Sequence, residues 1–92
     1  MPYKHQEEEE VLVLEEVQNL SSIVLYNDDV NTFEHVIDSL VEICEHNLLQ
    51  AEQCTYLVHY KGKCAVKSGT FEALEPLCTA LLDRGLSAKI EN

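Results

Sequence analysis

Tryptophan is absent from the 92 residues, glycine occurs three times, proline twice, and six basic side chains face seventeen acidic ones. The shortage of positive charge leaves a formal net charge of −11. A field of that sign repels phosphate backbones and argues against nucleic acid as a partner. Apolar runs stop after a few residues, far short of the ~20 that a membrane-crossing helix needs, and no basic-then-apolar leader opens the chain. No Gly-rich phosphate loop and no Ser elbow of the G-x-S-x-G kind is present. The histidines at 5, 35, 46 and 59 form neither His-x-x-x-His nor Glu-x-x-His, and the cysteines at 44, 54, 64 and 78 form no Cys-x-x-Cys. Catalysis, a structural metal and a cofactor therefore have no motif behind them, and the cysteines read as reduced, mostly buried thiols of a cytoplasmic protein.

What is present is ordinary globular material, 46% apolar and 25% charged. A chain of this length makes one domain that removes only about 60–65% of its unfolded surface from water. Residues 1–20 hold six of the seventeen acids and a single Lys, and read as a flexible acidic extension; residues 21–92 read as the core. Ile23 to Tyr26 predict a strand, ended by Asn27-Asp28-Asp29. Phe33, Val36, Ile37, Leu40, Ile43 and Cys44 recur at helical spacing, with Asn31 and Glu34 set as a capping box, which predicts a helix over about 32–46 that stops at His46-Asn47. A second helix begins near Leu49 or Gln50 and ends at Gly62, and residues 62–69 predict a strand. Thr70 caps a third helix that stops at Gly85, with a kink or late start expected at Pro76; residues 86–91 alternate as a final strand. The order β-α-α-β-α-β predicts an α+β two-layer sandwich, a three-stranded antiparallel sheet with three helices.

Asn27, Asp28 and Asp29 have two readings. One is local: acids and amides before a helix cap its free N–H groups and complement its dipole. The other draws in His59, near the end of the second helix. Packing that helix on the first sets Phe33 and Val36 against Thr55 and Val58, and so brings acceptors and an imidazole to an apolar pocket. An ammonium has three donors and no acceptor, so such a site suits a free amine attached to a hydrophobic group.

The stretches "VLYNDDVNTFEHVIDSLVEI" (24–43), "LVHYKGK" (57–63) and "LSAKIE" (86–91) together resemble the ClpS family, in one register over about residues 21–91. That resemblance implies the same β-α-α-β-α-β fold and a monomeric adaptor that is not an enzyme. It also implies binding of N-degron peptides, those with a free α-amino group and a first residue Phe, Tyr, Trp or Leu, and their delivery to the N-terminal domain of a ClpA or ClpC unfoldase. By position it assigns Asn27, Asp28, Asp29 and His59 to the α-amino group, and Asn31, Thr32, Phe33, Val36, Thr55, Val58 and Leu86 to the side-chain pocket. Glu72 and Glu75 match acidic docking positions.

The chain departs from the family where it carries Asn31-Thr32-Phe33 in place of the common Thr-Pro-Met, and Thr55 at a position often filled by Met. A rigid Phe33 predicts a shallower or differently selective pocket, with the smaller Thr55 offsetting its bulk. The docking Lys common in the family is Leu77 here. Two rival readings stand beside this one: a docking platform without an amine pocket, a role the same small fold has in a ribosomal stalk protein, and an unfoldase adaptor that no longer recognises N-degrons.

Overall fold

A computed structural model describes residues 20–92. The expected extension, residues 1–20, lies outside the described residues except for Leu20. The elements are β1 (Ser21–Tyr26), α1 (Phe33–Cys44), α2 (Leu48–Lys61), β2 (Lys63–Gly69), α3 (Phe71–Asp83) and β3 (Ser87–Glu91). The sheet is antiparallel in the order β2-β1-β3. The predicted α+β class and element order are those of the structure.

β1 is central because its apolar run is buried from both sides: Ile23, Val24 and Leu25 are all buried. Ile23 and Leu25, two apart and so on one face, join Val36, Leu40 and Cys44 of α1, Ala51 and Val58 of α2, and Leu74, Cys78 and Leu81 of α3 in a single core. Pairing with β2 skips Val66, since Ile23 opposes Lys67 while Val24 opposes Ala65. At this bulge the Val66 carbonyl accepts from Nε2 of the buried His46 at 2.6 Å, so the α1–α2 link is tied to the sheet edge.

Several local expectations are corrected. α1 is capped by Thr32, whose hydroxyl accepts from the His35 N–H at 3.1 Å, and not by Asn31. It ends at Cys44, because Glu45 takes a left-handed conformation (φ 60°). Asn47 starts a helix instead of stopping one: its side chain accepts from the Gln50 N–H at 2.8 Å as the cap of α2. α3 runs unbroken from Phe71 through Pro76, so the late start does not occur. Leu74, Cys78 and Leu81 bury one face of that helix across the proline. Burial worth about 1.5–3 kcal/mol per large side chain outweighs the roughly 3 kcal/mol that an interior proline costs. Only Cys44 and Cys78 are buried; Cys54 and Cys64 are half-buried. Burial, followed by the neighbouring Cys64, pushes the Cys54 thiol up to about 12.

Candidate functional site

Where β1 ends, the backbone leaves the sheet beside the end of α2, and the Asn27 N–H donates to the Gly62 carbonyl at 2.9 Å. Gly62 sits at φ 90°, the left-handed geometry that lets α2 stop and turn into β2. The contact sets the start of the Asn27–Asn31 loop against the last turn of α2, which carries His59.

Asp28 is committed to this scaffold. Its Oδ1 accepts from the N–H groups of Val30 and Asn31 at 3.2 and 3.1 Å, and its Oδ2 from the Ser87 hydroxyl at 3.1 Å. Asn31 Nδ2 donates to both carboxylate oxygens at 2.9 and 3.0 Å, and to the Gly85 carbonyl at 2.9 Å. Burial alone would raise the Asp28 pKa, but the hydrogen bonds from Asn31, Ser87 and Val30 outweigh it and hold the carboxyl below its ordinary value. His35 Nε2 adds a bond to the Arg84 carbonyl at 2.8 Å, so the first turn of α1 is also tied to the α3–β3 turn.

Asn27, Asp29 and His59 differ from Asp28. All three are exposed, and among the described residues none of their side chains has a hydrogen-bond partner. With Asp28, Asn31, Phe33, Val36, Thr55, Val58 and Leu86 they line one cavity of about 180 Å³. Of these, Val36, Thr55, Val58 and Leu86 are buried. The Thr55 hydroxyl donates to the Ala51 carbonyl at 2.7 Å, so its proton is used inside α2. Phe33, a partly exposed lining residue, lies edge-on to His59 at a centroid distance of 5.1 Å and to Tyr56 at 5.5 Å.

The structure therefore gathers ten of the eleven residues assigned to the amine and side-chain sites. Thr32 is the exception: it is exposed and spent as the α1 cap. Leu25 and Tyr26 also line the cavity and were not expected there. The signal for Tyr26 was its place next to Asn27, at the end of a strand that leads into the site. Glu72 and Glu75 are exposed near the start of α3 and are not among the residues lining this cavity. Among the described residues no group of three His, Cys, Asp or Glu side chains is placed to hold a metal, and no helix is long and apolar enough to cross a membrane.

The site is a polar-rimmed apolar pocket between the central strand and two helices of a small α+β domain. The family described as ATP-dependent Clp protease adaptor protein ClpS matches residues 16–89, and the chain belongs to that family. A comparison with curated proteins finds no match. Membership implies an adaptor role beside a Clp protease unfoldase rather than catalysis.

Proposed function

We propose that this chain binds N-degrons, peptides with a free α-amino group followed by a bulky hydrophobic first residue (Phe, Tyr, Trp or Leu), and delivers them to the N-terminal domain of a ClpA- or ClpC-type unfoldase in the cytoplasm. The first side chain enters the cavity while its ammonium donates to Asn27, Asp29 and His59. Asp28 and Asn31 hold the loop that presents two of those acceptors. The observation that carries this reading is the pairing of three uncommitted polar side chains with a cavity of about 180 Å³. An apolar cavity of about 150 Å³ takes up benzene, so a phenyl-sized group matches the space. Glu72 and Glu75, on an exposed face away from the cavity, are free to meet the unfoldase while a peptide is bound.

No bond is made or broken in this mechanism. Selectivity comes from pairing a charge with acceptors and an apolar group with an apolar space. Fluorescence anisotropy of labelled peptides beginning with Phe, Leu or Val, each with a free and an acetylated amine, tests it. The free Phe and Leu peptides bind and their acetylated forms do not. Equal binding of free and acetylated Phe peptides sinks the reading and leaves an unfoldase adaptor without an N-degron pocket.

A further inference from the structure

The pocket rim on the α2 side carries more aromatic surface than the pocket uses. Tyr56 and Tyr60 lie one turn apart on α2 with their rings nearly parallel, 7° between planes and 6.1 Å between centroids. They are 50% and 73% exposed, so much of their aromatic surface faces solvent. They are continuous with the pocket: Phe33 meets Tyr56 edge-on, and His59 meets both Phe33 and Tyr60 at centroid distances of 5.1 Å. Glu52 precedes Tyr56 by four residues and shares its helix stripe. Lys61 is turned about 100° from Tyr60 around the helix axis.

A peptide whose first residue fills the pocket must leave over one rim or another. On the loop side, Asp28 and Asn31 are already engaged with Ser87, Gly85 and the local backbone. On the α2 side Tyr56 and Tyr60 keep much of their ring surface exposed beyond the contacts with each other, Phe33 and His59. The second residue's Cα lies about 3.8 Å from the first, so a chain leaving past His59 brings its second side chain over Tyr60 and Tyr56. We infer that this tyrosine shelf is a second specificity subsite that selects a basic residue, arginine above all, at the position after the hydrophobic first residue. A planar guanidinium stacks on tyrosine faces. The formal net charge of −11, with Asp29 lining the adjoining pocket and Glu52 on the same stripe, favours a cation there.

The inference rests on the proposed amine pocket, and its test separates the two. Anisotropy is measured with free-amine peptides that begin Phe-Arg, Phe-citrulline, Phe-Ala and Phe-Phe but are otherwise identical, together with acetylated Phe-Ala. The Phe-Arg peptide binds roughly three- to fivefold tighter than Phe-Ala, while citrulline, neutral but of the same shape, loses most of that gain. The ratio of Phe-Arg to Phe-Ala affinity falls to near one in Tyr56→Ala/Tyr60→Ala and survives in Tyr56→Phe/Tyr60→Phe. Using the ratio cancels any effect on the pocket itself. If Phe-Ala binds in an amine-dependent way but Arg confers no gain, or the gain persists without the tyrosines, the shelf inference is overturned and the pocket stands. A Phe-Phe peptide as tight as Phe-Arg overturns the choice of a cation. Loss of amine dependence in Phe-Ala overturns both.

Discussion

Acetylating the first amine of a Phe peptide removes one positive charge and two hydrogen-bond donors while leaving the side chain that enters the cavity. The size of the penalty depends on how the three proposed acceptors are solvated. Buried acceptors would each cost about 1–3 kcal/mol when left unpaired. Asn27, Asp29 and His59 are instead exposed, so water can satisfy them when the amine is blocked. What is lost is then the net value of the contacts. One charge-assisted bond to an exposed carboxylate contributes about 1–1.5 kcal/mol and two weaker partners about 0.5–1 kcal/mol each. The sum, about 2–3.5 kcal/mol, corresponds to roughly a 30- to 300-fold rise in Kd. Competition anisotropy at fixed salt measures it directly.

The same contacts imply a pH dependence. A peptide's α-amino group has a free pKa of about 7.7–8.0, and contact with Asp29 raises that value in the complex. Affinity is therefore full below the free pKa and declines as pH rises through about 8 towards the bound value. An acetylated peptide within threefold of the free one, or an affinity that is flat from pH 7 to 9.5, would refute the amine grip.

Removing Asp28 as Asp28→Ala should lower stability at pH 7 by about 1–2 kcal/mol, read from urea unfolding, because it anchors the loop to Asn31 and Ser87. Its folded pKa is depressed below 3.8, so the contribution is present above that value and lost as pH falls through the lower folded pKa; the gap between wild type and variant closes in acid. Phe33→Ala removes from the cavity lining a ring set against Tyr56 and His59, and the preference for Phe over Val as first residue, measured as a Kd ratio, should shrink at least threefold. Glu72→Lys/Glu75→Lys should leave peptide affinity unchanged and weaken binding to the unfoldase N-terminal domain roughly tenfold in surface plasmon resonance.

Long-period patterning carried the architecture. The apolar spacing of Phe33 to Cys44 and the alternation of residues 86–91 were enough to order the elements, because each element buries one face whatever its partner. Boundaries were less legible where neighbouring residues compete for the same capping role. Asn31 and Thr32 are both good caps; the outcome depends on a bond from Asn31 to the Gly85 carbonyl, 54 residues away, which no local pattern encodes. His46 and Asn47 look like a helix end, yet His46 is drawn inward by the Val66 carbonyl at a bulge that pairing alone creates. The cavity lining came mostly from resemblance. The resemblance did not supply Leu25 and Tyr26, whose spacing marks only a strand, nor the stacked Tyr56 and Tyr60, which look in sequence like scattered surface aromatics.

The bond from the Asn27 N–H to the Gly62 carbonyl has an evolutionary consequence. It joins the two segments that carry the proposed amine acceptors through main-chain atoms, which side-chain substitution does not delete. Substituting residues that line the cavity, such as Phe33 and Thr55, would thus retune the proposed selectivity while the proposed amine acceptors keep their relative placement. Proposed selectivity and grip become separately adjustable, and the position least open to substitution is Gly62, whose φ of 90° a side chain would strain.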